Sequence, residues 1–342
     1  MMRRSMRGWV QMACVAALIT ASNAAAQEAP AMGVGKKLPP GILTTIPIDP
    51  LQSETFTQPR PLVELLADPA LPTWTPNYSA KNNTLREMAS KVIFRSTVFN
   101  LEFSFKPLRM LEVDIPQPTG KMQRKNLWYM VYKVRNNGYH LSYKPEEDAW
   151  KHKTFGVEKV NQNIYFFPEF VFRAYVHKPG ANANDAASYQ QKEYLDRLVP
   201  VAMKPIAERE RVGVTLHDSV SISKVAIPVS DAKNDRSVWG VMIWEDIDPH
   251  VNFASIFVQG LTNAYKAEDP PGAYKAGDPI GTGRIITTKT LQLNFWRPGD
   301  AVNAHEEEIR YGVPLDTNPT RQAELFEIYG VTSPLDYLWV YR

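Results

Sequence analysis

The run Leu127-Trp128-Tyr129-Met130-Val131-Tyr132-Lys133-Val134, followed by Asn137-Gly138 and then by Tyr139-His140-Leu141-Ser142-Tyr143, carries the clearest structural signal in the chain. The first run is apolar at nearly every position, which is typical of a central strand buried on both faces. Asn-Gly favours positive φ and supplies the two-residue turn of a β-hairpin. Residues 126–143 therefore predict a hairpin whose first strand lies inside a sheet.

Further strand-like runs, rich in aromatic and β-branched residues, follow on both sides of this hairpin. Pro168 interrupts one of them and predicts a bulge or a change of sheet. Because the runs do not alternate regularly with helices, a parallel sheet is not expected. The sequence predicts a mainly β fold, an antiparallel β-sandwich of one large or two packed β-domains with a few short helices. The runs lie at 99–106, 164–177, 212–229, 238–244, 253–258, 285–295 and 337–341.

Three helices are predicted from their end signals. Thr84 and Glu87 have capping-box spacing. Ser188 and Gln191 have similar spacing and predict a helix that runs to about Val199 and ends at Pro200. Near the end of the chain, residues 318–330 begin Asn-Pro, which suits a cap and a first helical position, and close with a glycine, which suits an exit.

The first 26 residues resemble a cleaved export signal. Three arginines precede an apolar stretch at 9–21, and Ala24-Ala25-Ala26 forms a small-residue cleavage site before Gln27. Two alternatives remain: a twin-arginine signal at Arg3-Arg4, and lipidation at Cys14. No later segment reaches the roughly 20 apolar residues that a membrane-spanning helix needs. The protein is expected to be exported to the periplasm, the cell surface or the medium.

Charge and cysteine usage exclude several classes of function. The chain carries 39 Lys+Arg and 36 Asp+Glu, and residues 1–26 hold three arginines and no acid. Residues 27–342 are therefore balanced in charge and give no electrostatic basis for binding nucleic acid. The one cysteine, Cys14, lies in the predicted signal, so the exported chain has no disulfide, thiolate metal site or cysteine nucleophile.

The chain divides by composition after the signal. Residues 27–80 contain ten prolines but also many apolar side chains, so this segment is either a strap docked on the body or a free linker. We assign 27–90 to a Pro-rich strap or linker with a short helix, and 91–342 to the β-sandwich body. A break near 178–211 would divide that body into two.

Part of the body resembles a group of exported proteins from planctomycete-type bacteria. The resemblance rests on Phe105-Lys106-Pro107-Leu108-Arg109-Met110, on Trp128-Tyr129-Met130-Val131-Tyr132 and on the stretch from Asp248 to Tyr265. It covers roughly residues 95–265. It implies export and a β-rich body, and it implies no catalytic residues, because that group has no established function.

Glu245, Asp246 and Asp248 form the most suggestive polar cluster, directly after the strand 238–244. Carboxylate oxygens in such a loop suit Ca²⁺, which takes 6–8 oxygen ligands. The alternative is an Asp-Pro turn with solvated carboxylates. The same three acids are the first candidates if the protein is a hydrolase that uses carboxylates.

Other motifs argue against familiar chemistries. His305 is not followed four residues later by a second histidine, so a zinc-protease helix is not expected. His217-Asp218-Ser219 contains the residue types of a serine-hydrolase triad, but neighbours on a strand point to opposite faces. Of the eight tryptophans, Trp74 and Trp150 lie in looser sequence and are the candidates for a binding surface.

Two functional hypotheses remain. The first is an exported, non-enzymatic β-sandwich protein that binds or scaffolds envelope components, with an envelope protein or a polysaccharide as partner. The second is an exported hydrolase, and a carrier of small ligands or carbohydrate is a further alternative. No cofactor is expected other than the Ca²⁺ considered above.

Overall fold

The computed structural model describes residues 35–67, 80–151, 153–178, 186–248, 251–298 and 309–342. Within them the chain is mainly β, as predicted, with five short helices. None of the helices in the described part of the chain has the length and apolar character to cross a membrane. The strands are β1 (Thr44–Ile46), β2 (Glu102–Phe105), β3 (Arg109–Pro116), β4 (Met122–Arg135), β5 (His140–Glu147), β6 (Lys153–Val160), β7 (Ile164–Tyr165), β8 (Glu169–His177), β9 (Tyr189–Leu195), β10 (Leu216–His217), β11 (Ala226–Ile227), β12 (Val238–Trp244), β13 (Phe253–Gln259), β14 (Tyr265–Glu268), β15 (Ile285–Trp296), β16 (Arg310–Tyr311) and β17 (Tyr337–Tyr341). The helices are α1 (Val63–Leu66), α2 (Ala80–Ser90), α3 (Pro200–Arg209), α4 (Ser219–Ile222) and α5 (Pro319–Tyr329).

Two sheets form the body. Sheet 1 is centred on β4, which pairs with β2 and β3 along one edge and with β12 along the other. β1 lies beside β2, and β10 adds a two-residue parallel pair to β12. Sheet 2 has the order β14-β15-β13-β8-β9, and β16 and β17 also pair with β15. All strand pairs in sheet 2 are antiparallel.

The main hydrophobic core lies between the two sheets. Alternate residues of β4, including Trp128, Met130 and Tyr132, meet Phe172 of β8 and Leu293 of β15. This alternation is the period-2 pattern of a sandwich interior, in which one face of each strand points to the partner sheet. The prediction of a mainly β, sandwich-like fold is confirmed.

Helices cover the outer faces of both sheets. The other face of β4, with Tyr129 and Val131, packs against Ile206 of α3. On sheet 2, α5 packs Leu325 and Tyr329 against its outer face. This explains why the run 127–134 is apolar on both faces: one side meets sheet 2 and the other meets a helix.

The end signals of α5 are confirmed. The Asn318 side chain accepts a hydrogen bond of 3.0 Å from the backbone N–H of Thr320, and Pro319 occupies the first helical position. Gly330 ends the helix with a φ of 67°, the left-handed conformation that glycine adopts without steric cost.

The second strand of the predicted hairpin is placed elsewhere, so that prediction is wrong. β5 pairs with β6 in a separate two-stranded ribbon and not with β4. Gly138 and Tyr139 do adopt positive φ values of 69° and 58°. The turn nevertheless leads the chain away from sheet 1, because β2, β3 and β12 already occupy both edges of β4.

Other local predictions have mixed outcomes. Pro168 separates β7 from β8, and the two strands belong to different sheets, as predicted. Residues 189–195 form β9 and not a helix, and Pro200 begins α3 and does not end a helix. Thr84 lies inside α2 and not at its cap. The run 212–229 does not form one long strand, and it contains the short helix α4 and the two-residue strands β10 and β11.

The Pro-rich segment packs on the body over residues 35–67. Lys36 bridges to Tyr311 of sheet 2, and Ile46 of β1 enters the core with 2% of its surface exposed. Farther along, Phe56 bridges to Arg95. We call residues 35–67 the strap. β9 and α3, which fall in the predicted break at 178–211, pack on sheet 2 and sheet 1 respectively.

Candidate binding groove

A buried lysine fastens the strap to sheet 2. Lys289 of β15 is 2% exposed, and its Nζ donates to Glu54 Oε1 at 2.7 Å and lies 3.0 Å from Asp49 Oδ2. The Tyr341 hydroxyl donates to the same Glu54 oxygen at 2.8 Å. Burial and the adjacent Glu54 carboxylate raise the pKa of Tyr341. Losing one partner of a buried ion pair strongly destabilises a protein. The contacts of Lys289 with Glu54 and Asp49 therefore hold the strap in one position.

A groove of about 480 Å³ lies between the strap and the end of sheet 2. The strap forms one wall, β14 and the end of β17 form another, and residues 94–96 complete it. Two rings on this lining are exposed to solvent, Phe56 at 41% and Tyr265 at 40%. Ser53 and Gln58 add polar side chains. The groove thus combines aromatic surface with hydrogen-bonding groups, as ligand sites commonly do.

Cations stacked on aromatic rings run along the groove. Arg60 Cζ lies 4.4 Å from the Phe94 ring centroid, and Lys266 Nζ lies 4.0 Å from that of Tyr341. Arg95 Cζ lies 3.5 Å from the ring of Phe155, near the tip of the β5–β6 ribbon. Arg95 and Lys266 are exposed, so each can offer N–H groups to a ligand while its ring orients it, whereas Nε and Nη1 of Arg60 are buried.

The groove carries more unpaired positive than negative charge. Neither Arg95 nor Lys266 forms an ion pair with any acid in the described part of the chain. Arg60 lies 3.5 Å from Asp269, behind the wall. Of the two acids on the lining, Glu54 is neutralised by Lys289, whereas Glu268 is exposed and meets no cation among the described residues.

The predicted surface tryptophans have different outcomes. Trp150 lies at the tip of the β5–β6 ribbon and is 78% exposed. Along that ribbon the ring centroids of Tyr143 and Phe155 lie 6.4 Å apart. The guanidinium of Arg95, a residue of the groove, stacks on the Phe155 ring. Trp74 lies outside the described residues.

The predicted carboxylate cluster is held by a lysine. Lys125 Nζ lies 3.1 Å from both Glu245 Oε2 and Asp246 Oδ2, and these two hydrogen bonds raise the pKa of Lys125. The Asp248 backbone N–H donates to the Tyr194 hydroxyl at 3.3 Å. Across the described residues, no three His, Cys, Asp or Glu side chains form a group that could hold a metal ion. Ca²⁺ at this loop would have to displace the Lys125 ammonium.

In the segment 217–219, Asp218 and Ser219 are engaged by partners outside that segment. Asp218 caps α4 by accepting from the backbone N–H of Val220 and Ser221. The Ser219 hydroxyl donates to Asp196, and the Ile243 N–H donates to the other Asp196 oxygen at 2.7 Å. Burial, reinforced by Asp218, outweighs these donors and raises the pKa of Asp196 to about 6.

We expect Asp196→Asn to stabilise the protein at pH 7.5 by about 1–2 kcal/mol and to have little effect near pH 4. Asp196 binds a proton more tightly in the folded than in the unfolded state, so its protonation adds stability as pH falls from about 6 towards 4. Above pH 6 the buried charge costs free energy that Asn avoids. Urea unfolding at both pH values measures the difference. The exposed Asp114→Asn is the control, and equal pH profiles for Asp196→Asn and wild type would contradict the expectation.

The residues of the groove were not singled out from the sequence. Arg60, Arg95 and Lys266 lie in three distant segments that only the docked strap brings together. Arg95 and Lys266 each follow an aromatic residue directly, whereas Arg60 lies between two prolines, so no shared spacing marks the three cations. The one usable clue was the apolar content of the Pro-rich segment, which favoured docking on the body.

No protein-family model, curated protein or solved structure matches the chain. The resemblance of residues 95–265 to exported planctomycete proteins therefore stays a prediction. What the groove can bind has to be inferred from its own chemistry.

Proposed function

We propose that the protein is exported and is a binding protein of the cell envelope, with its ligand in the groove under the strap. The observation that carries the proposal is the groove of about 480 Å³ with solvent-exposed aromatic rings and unpaired cations on its walls. Exposed rings and charges cost the unliganded protein little stability. They contribute free energy of binding when a ligand covers them.

Binding is favoured over catalysis by the role of the acids at the groove. Glu54 accepts from both Lys289 and Tyr341, so this carboxylate serves to fasten the strap. The acids of the 245–248 loop are not on the groove lining, and two of them are held by Lys125. Paired carboxylates for glycoside hydrolysis would need to flank one substrate position. Of the two acids on the groove lining, Glu54 is engaged by Lys289 and Tyr341, which leaves Glu268.

The groove is tested by filling it. Gln58 is exposed on the strap side of the groove, and Gln58→Trp places a bulky ring over the opening. The probe is protein-free cell-wall sacculi with their attached polysaccharides, and the readout is the fraction of protein (residues 27–342) that sediments with them. We expect wild type to sediment and Gln58→Trp to remain in the supernatant.

The matched control is Gln190→Trp, an equal substitution at an exposed position of β9 away from the groove. It should sediment like wild type. Equal sedimentation of both variants would overturn the groove as the site. Failure of all three proteins to sediment would overturn the proposed binding to envelope polymers.

Export is tested separately. Expression of the full chain in a Gram-negative host should yield periplasmic or extracellular protein whose first residue is Gln27, read by mass spectrometry of the intact chain. Retention in the cytoplasm with residues 1–26 attached would overturn the export proposal.

A further inference from the structure

The charges of the groove identify a ligand class. Arg95 and Lys266 are both held on ring faces, and neither is neutralised by an acid in the described part of the chain. A ligand with negative groups would supply that missing partner, since charge-assisted hydrogen bonds are stronger than neutral ones. The groove therefore favours an anionic ligand over a neutral one.

The neutral part of the lining favours a sugar chain. The exposed rings of Phe56 and Tyr265 offer flat apolar faces, and Ser53 and Gln58 offer hydrogen-bonding groups beside them. A pyranose ring has an apolar C–H face and a rim of hydroxyls, which match this combination. Carboxylates attached to such rings would reach the two cations.

An extended acidic peptide fits the strap wall less well. Peptides that add to a sheet use free backbone N–H and C=O groups of the receptor. On the strap those groups are already paired with the neighbouring segment: Thr57 N–H donates to Phe94 O at 2.9 Å, and Arg60 and Val92 exchange bonds of 3.0 and 2.9 Å. Side chains, not backbone, are what this wall presents.

We propose that the groove binds an acidic oligosaccharide built from uronic acids. Arg95 and Lys266 meet its carboxylates, and the rings of Phe56 and Tyr265 meet its sugar faces. This inference rests on the proposed binding function and names the ligand class of the same site. Glu268, the exposed acid on the wall, opposes such a ligand.

The test is calorimetric titration of the protein (residues 27–342) with hexagalacturonate and, in parallel, with the neutral maltohexaose and with hexaglutamate. We expect hexagalacturonate to bind most tightly of the three, and we expect its affinity to fall as the NaCl concentration is raised. Arg95→Gln and Lys266→Gln should each lower the affinity for hexagalacturonate by about five- to tenfold. Glu268→Gln should raise that affinity by roughly two- to fivefold, because the repulsion between the Glu268 carboxylate and the ligand's carboxylates is removed.

Lys204→Gln is the charge-matched control, since Lys204 is 86% exposed on α3 and does not line the groove. It should bind hexagalacturonate like wild type. Equal affinity for maltohexaose, unaffected by the Arg95 and Lys266 variants, would overturn the acidic class and leave the binding function standing. Tighter binding of hexaglutamate would overturn the sugar. If sacculi are bound but none of the three oligomers is, the ligand class fails while the proposed function holds.

Discussion

Replacing Glu210 with alanine is expected to lower the free energy of unfolding by about 3–5 kcal/mol. Glu210 follows α3 and has a side chain only 1% exposed. Its Oε1 accepts from Arg109 Nη1 at 3.0 Å and from the Tyr129 hydroxyl at 2.8 Å. Its Oε2 lies 3.8 Å from Lys106 Nζ. Alanine would leave the buried Lys106 ammonium with its hydrogen bond to the backbone carbonyl of residue 210 but without its carboxylate, and a buried charge that loses its counter-ion is far more costly than a lost surface pair.

Tyr129 reports on the same cluster. Burial and the Glu210 carboxylate raise the pKa of this tyrosine, which is fully buried between sheet 1 and α3. Glu210→Gln keeps an oxygen for the Tyr129 hydroxyl but removes the charge, so its effect should fall between those of alanine and wild type. That ordering separates loss of charge from loss of packing.

Glu208→Ala is the internal control for this measurement. Glu208 lies on the same helix, is 68% exposed and pairs only with Lys204 at 3.9 Å among the described residues. Its replacement should change stability by less than about 0.5 kcal/mol. Urea unfolding followed by tryptophan fluorescence gives both values. If Glu210→Ala costs no more than Glu208→Ala, the buried cluster does not contribute as its geometry indicates.

The elements that were predicted correctly are those whose causes are local. The cap, the first-turn proline and the exit glycine of α5 all lie within residues 318–330, and each acts on its own neighbours. β12 was predicted with its observed ends because its apolar run is bounded by polar residues on both sides. Local propensity suffices where no competing partner exists.

Elements decided by distant partners were predicted incorrectly. Residues 189–195 carry a helix-like spacing, but pairing with β8 aligns Glu193 opposite Arg173, whose guanidinium donates to it at 2.6 and 2.9 Å. The return strand after Asn137-Gly138 does not pair with β4, because the preceding strands β2 and β3 occupy one edge of β4 and the distant strand β12 occupies the other. Sequence spacing holds no information on such competition.

The candidate groove belongs wholly to this second class. Its walls come from the strap, from residues 94–96 and from β14, and the strap reaches its position through Lys289 and Glu54. Neither residue is recognisable as a partner of the other from sequence. The sequence did favour Trp150 for a surface, and the ribbon that carries it does reach the groove through Phe155 and Arg95.

A single methyl group at Gly240 is expected to destabilise the protein by about 3 kcal/mol, near the upper end of overpacking effects. Gly240 of β12 lies directly opposite Tyr132 of β4 in sheet 1. A Cβ built on Gly240 would overlap the Tyr132 ring and its hydroxyl oxygen. That ring is fully buried and is packed by Phe103 and Phe170 at 5.6 and 5.1 Å between ring centroids, so it has no space into which to move.

A second substitution shows whether the Tyr132 ring is the cause. The Tyr132 hydroxyl is buried and has no hydrogen-bond partner among the described residues, so Tyr132→Phe alone should stabilise the protein by about 1 kcal/mol. In the Gly240→Ala background it should recover more than that, because it also removes one of the overlapping atoms. Gly213→Ala, where a Cβ meets nothing within 4 Å, should leave the unfolding midpoint within experimental error of wild type. Strictly additive effects of the Gly240 and Tyr132 substitutions would show that the added methyl group acts elsewhere, because two groups that compete for one space must be coupled.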